Sequence, residues 1–179
     1  MTPTPSHPPN EIRPLDRHHD RAAFSCGDSR IDEYLRNYAR QNMERRSALV
    51  WVWTRPPSQA VIGFYTLTSS QIEAGGLPAA VAQKFKLRNP PLLGATLLGR
   101  VGVGSAYQGQ GLGRLLCMHA FENALMASRV VASVGVVLDA YSDGAKAFWR
   151  KLEFVSIGER EGGLERFFLP MAYIEDLSR

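Results

Sequence analysis

Between residues 30 and 45 the apolar positions Ile31, Tyr34, Leu35, Tyr38 and Met43 recur at helical spacing, which predicts an amphipathic helix. Ser29, followed three residues later by Asp32, is expected to open it as a capping-box-like start. The pattern then changes. "SALVWVWT" (47–54) and "AVIGFYTLTS" (60–69) are rich in β-branched and aromatic residues and read as two strands, joined by "RPPSQ" as a hairpin loop. "LPAAVAQKFK" (77–86) predicts a short helix with Pro78 in its first turn, ended by "RNPP". A strand over 95–103 is followed by a glycine-rich turn and a helix over 112–127. "VASVGVVLDA" (131–140) is continuously apolar, as in a strand buried on both faces. "SDGAKAFWRKL" (142–152) predicts a helix capped by Ser142, and "FVSIGE" and "ERFFLPM" predict two closing strands. With a short strand at 11–15, the order describes a mixed α/β domain.

Composition narrows this little. The chain has 179 residues, 45% of them hydrophobic, which suits one domain with a sizeable core. No apolar run reaches the roughly 18 residues of a membrane span. The opening "MTPTPSHPPN" is Pro-rich and polar without the apolar centre of a signal peptide, so residues 1–10 are read as a flexible lead-in and 11–179 as the domain. Two Cys, at 26 and 117, imply no disulfide framework, and His7, His18, His19 and His119 show no metal-ligand spacing. A cytoplasmic protein is expected, with no membrane partner and no metal. The net charge is +4, and 17 of 21 basic residues are Arg. That ratio fits the codon bias of a GC-rich genome, or the preference of guanidinium forks for phosphate. The sign favours an anionic partner. Arg36 and Arg40 share one side of the 30–45 helix, and Arg45 and Arg46 end it: either a solvated face or a positive rim for a polyanion.

The chemistry centres on "QGQGLG" (108–113). A tight turn alone would explain the glycines. Their place between strand and helix adds a second reading. The first amides of a helix have no partner inside it, and the helix dipole makes them a site for phosphate. Gly109, Gly111 and Gly113 would keep side chains out of the way, and Arg114 puts a cation in a first turn that ordinarily favours acids. The motif is not a Walker A, since no Gly-Lys-Ser/Thr follows.

"Gln108-Gly109-Gln110-Gly111-Leu112-Gly113" resembles the Gln/Arg-x-x-Gly-x-Gly/Ala loop of the GNAT N-acetyltransferase family. "LLGRVGV" resembles that family's central strand, and "AKAFWRKLEF" (145–154) its "A-x-x-F-Y-x-x-x-G-F" segment. "FSCGDSRIDEYLRNYARQN", "VIGFYTLTSSQIE", "LPAAVAQKFK" and "PPLLGATLLGRVGV" resemble successive signatures of the family's toxin branch, which acetylates aminoacyl-tRNA in type II toxin–antitoxin pairs. The resemblance implies a mixed central sheet flanked by helices and splayed at its central strands to admit acyl-CoA. It implies acetyl-CoA as cofactor. The backbone of Val101 and Val103 would hold the pantetheine arm. Gln108, Gly109, Gln110, Gly111, Leu112, Gly113 and Arg114 would take the pyrophosphate. It also implies an aminoacyl-tRNA substrate met by Arg36, Arg40, Arg45 and Arg46, a small antitoxin partner, and possible homodimers.

One position departs from the pattern. The family's tyrosine acid falls at Trp149, whose indole N–H donates a hydrogen bond but is no acid at neutral pH. Tyr141 is the nearest phenol in sequence and a candidate replacement; a loop aromatic resting on the core is the alternative. Cys117 reads as a buried structural thiol, and Asp139 as a structural hydrogen-bonding group rather than an orienter of the amine. Two other functions remain open: acetylation of a small-molecule or protein amine, and a CoA-binding module weakened by Trp149.

Overall fold

The computed structural model describes residues 11–179; the lead-in expected over 1–10 lies outside the described residues. Among the described residues, seven strands form one mixed sheet in the order β1-β2-β3-β4-β5-β7-β6. Contacts divide the chain into two units: residues up to Thr66 with Arg100–His119, and Leu67–Gly99 with Ala120–Arg179.

The first unit begins with β1 (Glu11–Pro14), antiparallel to β2 (Leu49–Thr54). Between them lies helical chain in three pieces: α1 (Ser29–Glu33), a π-helical turn (Tyr34–Tyr38) and α2 (Ala39–Glu44). The predicted helix over 30–45 is thus present, with one widened turn in which the Ala39 N–H donates to the Tyr34 carbonyl. Its cap is not Ser29. Asp28 accepts from the Arg30 N–H, while buried Asp32 turns back to accept from the Cys26 N–H at 2.8 Å and the Ser25 hydroxyl at 3.1 Å. The carboxylates bind loop donors that sequence spacing alone did not reveal. Leu15, Phe24, Tyr34, Leu35, Ala39, Val50, Val52, Val61 and Phe64 form the core here. The unit takes in the start of β3 (Gly63–Glu73) and the end of β4 (Leu92–Val103). At Gly102 a Cβ would stand 2.9 Å from Phe64 and 3.0 Å from Ile31, so only glycine lets the strand pass.

The second unit holds the rest of β3 and β4, α3 (Ala79–Lys84), β5 (Gly135–Ala140), α5 (Asp143–Lys151), β6 (Val155–Arg160), β7 (Leu164–Pro170) and α6 (Met171–Leu177). Helix α4 (Leu112–Ser128) runs from one unit into the other. Strand β5 pairs in parallel with β4 and antiparallel with β7, which accounts for its unbroken apolar run: Val136, Val137 and Leu138 are all buried. The β4–β5 ladder spans two residue pairs, Thr96 with Val136 and Leu97 with Val137, while β4 continues to Val103. Ser142 caps α5 as expected, accepting from the Ala145 N–H at 3.1 Å. Helix α6 was not foreseen: Met171 and Ile174 are buried, but a single turn of apolar spacing is too short a signal to read.

Candidate active site

The glycine corner is built by hydrogen bonds made before it. Leaving β4, the Gly104 N–H donates to the Ile62 carbonyl at 2.8 Å, and Ser105–Tyr107 make one 3-10 turn. Ser105 donates twice to the Ser25 carbonyl, from its N–H at 2.8 Å and its hydroxyl at 3.1 Å. The Gln108 amide then bridges two carbonyls, Cys26 at 2.8 Å and Val103 at 2.9 Å, and the Gln110 amide reaches back to Ala106 at 3.3 Å. Both glutamine side chains are therefore folded onto the protein. They shape the turn, leaving main-chain groups for any ligand.

Gly109 and Gly111 have φ of +74° and +81°, a region where a side chain is strained. A Cβ at either would meet nothing within 4 Å. Protein packing therefore does not demand glycine; the backbone conformation does, and the space beside the turn stays open. Leu112 is buried beneath the turn, Gly113 is half-buried and Arg114 is exposed. The corner opens a helix of 17 residues. An oxyanion ligand fits this site: open main chain, positive φ, a helix N-terminus and an exposed guanidinium.

The loop fastened to this corner is the one that starts α1. Burial works against the Asp32 charge, but the Cys26 N–H and the Ser25 hydroxyl outweigh it and hold the carboxyl below its ordinary range. Burial pushes the Cys26 thiol up to about 11 and Cys117 up to about 12, so both stay protonated near neutral pH, and Cys117 is a structural thiol as expected. Farther along, Arg36, Arg40, Arg45 and Arg46 are all exposed, and Arg40 pairs with Glu44 at 2.9 Å. Arg46 has φ of +56°. Its N–H donates to the Met43 carbonyl and that of Ser47 to Asn42, a helix ending that ordinarily selects glycine.

Tyr141 and Trp149 lie in the second unit. Tyr141 follows β5 directly and is 53% exposed. Trp149 is buried, its ring edge-on to Phe148 at 4.9 Å and Phe154 at 5.4 Å. Asp139 forms a two-armed ion pair with Arg166, at 2.7 and 2.6 Å, consistent with a structural hydrogen-bonding role. No group of His, Cys, Asp and Glu suited to a metal occurs among the described residues, and no helix there is long and apolar enough to cross a membrane.

No family model matches the chain. Curated relatives do. A tRNA-acetylating toxin of Mycobacterium tuberculosis is 29% identical over 135 residues, covering 75% of this chain and 78% of the relative. A probable toxin TacT of Sinorhizobium fredii is 28% identical over 177 residues and 93% of each chain. Among solved structures, AtaT complexed with acetyl-methionyl-tRNAfMet matches with a TM-score of 0.85 at 26% identity, over 95% of this chain and 99% of that one. This chain has the GNAT fold and resembles the tRNA-acetylating toxins. A second GNAT structure, AtaTR bound with AcCoA, matches with a TM-score of 0.78 at 26% identity, over 95% and 98%.

The sequence names Gln108 but not the clip its side chain makes between the Cys26 and Val103 carbonyls, and it does not single out Arg100, whose guanidinium lies over the Tyr34 ring. Arg100 carries a signal in hindsight, as a lone charge inside the apolar run "LLGRVGV".

Proposed function

We propose that this protein transfers the acetyl group of acetyl-CoA to the α-amino group of an aminoacyl-tRNA, acting in the cytoplasm as the toxin of a toxin–antitoxin pair. The observation that carries the proposal is the open glycine corner at the head of α4, in a chain similar along nearly all its length to AtaT with its acetylated tRNA. Acetyl-CoA supplies an activated thioester and a diphosphate handle.

The chain's own residues divide the work. Main-chain groups of Gly109, Gln110, Gly111, Leu112 and Gly113, with Arg114, hold the diphosphate, and Gln108 keeps the turn in shape. The Val101 and Val103 backbone, beyond the short β4–β5 ladder, holds the pantetheine arm. Arg36, Arg40, Arg45 and Arg46 receive the tRNA backbone. Arg46 supports this reading: an arginine occupies a positive-φ position where glycine would relieve about 1 kcal/mol of strain. Residues 11–179 act as one acetyltransferase domain, and a small antitoxin and self-association into a dimer complete its partners.

An α-amino group titrates near roughly 7.7–8.0 and lower when its carboxyl is esterified, so much of the acceptor is already neutral and positioning carries most of the catalysis. Tyr141, exposed beside β5, is the candidate proton donor to the departing sulfur, and the packed Trp149 supplies at most a wall or an N–H. Tyr141→Phe with undiminished turnover removes Tyr141 from that role. Trp149→Tyr restores the family phenol and is expected to raise kcat at least tenfold, general-acid catalysis being worth about 10²–10⁴-fold.

The deciding test incubates the protein with labelled acetyl-CoA and a total charged-tRNA pool. Label on aminoacyl groups, with growth arrest on expression, is expected. Label on free amines or proteins alone would favour another acceptor. Acetyl-CoA binding without transfer to any amine would favour the weakened module.

A further inference from the structure

Side chains alternate along β4, so Arg100 shares a strand face with Gly102, which packs against Phe64 and Ile31. The Arg100 N–H donates to Thr66 Oγ1 at 3.0 Å, and its guanidinium lies 3.8 Å from the centroid of the Tyr34 ring. Tyr34 is held firmly. It is buried, stacked on Phe64 at 6.4 Å and 17°, and its hydroxyl accepts from Asn42 Nδ2 at 3.1 Å. It also opens the π-helical turn, a widened geometry that recurs at functional sites. Arg100 itself is exposed, and among the described residues it has no carboxylate partner, in contrast to Arg30, Arg40, Arg150 and Arg166. A guanidinium held over a ring face by cation–π attraction keeps edge donors for a pair of oxyanion oxygens.

We propose that Arg100, braced on Tyr34, anchors a backbone phosphate of the acceptor's single-stranded 3′ end. The inference rests on the aminoacyl-tRNA reading. In that acceptor the α-carboxyl is esterified, so the anions nearest the reacting amine are phosphodiesters. Arg100 is also the residue preceding Val101, whose backbone is assigned to the cofactor arm, so the cation stands on the strand that presents the thioester. A bidentate phosphate contact at this point fixes the terminal nucleotide before the amine reacts.

The test measures steady-state acetylation of a charged tRNA by the full chain and its R100Q and R100K variants across a salt series. For R100Q the KM for charged tRNA is expected to rise about 5- to 100-fold, and the log–log salt slope of kcat/KM to flatten by about one. R100K retains the slope but recovers only part of the KM, having charge without the fork. The KM for acetyl-CoA and the melting temperature stay near wild type. A wild-type KM and slope in R100Q would overturn the proposal. So would a rise in the KM for acetyl-CoA instead, which would place the contact on a cofactor phosphate. Equal losses on every substrate with a lowered melting temperature would make Arg100 a strut and also overturn it. If the wild-type protein leaves charged tRNA unlabelled, the acceptor reading falls and takes the proposal with it; if only R100Q behaves as wild type, the proposal falls alone.

Discussion

The two units differ most in charge. The first carries eleven Arg and no Lys against seven acids, while the second carries six Arg and four Lys against ten. The whole net charge of +4 therefore belongs to the unit that holds the glycine corner, the Arg36–Arg46 surface and Arg100. An excess of positive charge confined to one unit suits a surface that meets an anion. In the second unit Lys146 and Arg150 converge on Glu165, and Arg166 grips Asp139. The second unit's cations are matched in number by its acids, whereas the first unit keeps a positive balance that favours an anionic partner.

Stripping the first unit of its surface charge should break the contrast most sharply. Changing Arg36, Arg40, Arg45 and Arg46 together to Gln is expected to lower kcat/KM for charged tRNA about 10²–10³-fold at physiological salt. The salt slope should flatten by about three to four, read from the same assay at several ionic strengths. Gly111→Val comes next. A β-branched residue at φ +81° is strained by about 1–3 kcal/mol, and its methyl groups enter the open space of the corner. At least a tenfold loss of acetyl-CoA affinity is expected by calorimetry. In the second unit, Asp139→Asn leaves the Arg166 charge without its counter-ion in a partly buried site. A loss of about 1–3 kcal/mol in denaturant unfolding is expected, with the salt slope for tRNA unchanged.

Two smaller effects sharpen the picture inside the first unit. Because Asp32 is held below its ordinary range when folded, its stabilisation is complete above the unfolded value near roughly 3.9 and is lost as pH falls through the lower folded value. Asp32→Asn should therefore flatten the acid limb of the stability profile below about pH 4. Arg46→Gly should stabilise the fold by about 0.5–1 kcal/mol while lowering kcat/KM for charged tRNA a few-fold. An Arg46→Gly protein that gains stability and keeps its full activity would return that residue to ordinary surface.

Much of this was readable in the chain, for physical reasons. The helix over 30–45, the buried strand β5 and the Ser142 cap follow from periodicity and local hydrogen bonding, which depend on near neighbours. The glycine corner was readable because positive φ and an open helix start both select glycine. What escaped depends on pairings distant in sequence. Gln108 reaches Cys26, Arg100 reaches Tyr34, and Asp32 serves a loop rather than a helix end. None of these leaves a periodic trace. The π-helical turn over Tyr34–Tyr38 likewise leaves no signature in the 3.6-residue spacing of its apolar positions.

The most direct test of the central claim compares the affinity of acetyl-CoA with that of S-acetylpantetheine, which has the same thioester and arm without the diphosphate, in the wild-type protein and in Gly111→Val. If main-chain donors at the corner hold the diphosphate, acetyl-CoA binds the wild type at least about a hundredfold more tightly, and the variant loses most of that advantage. Equal affinities for the two ligands in the wild type, or an advantage that Gly111→Val leaves intact, would contradict it.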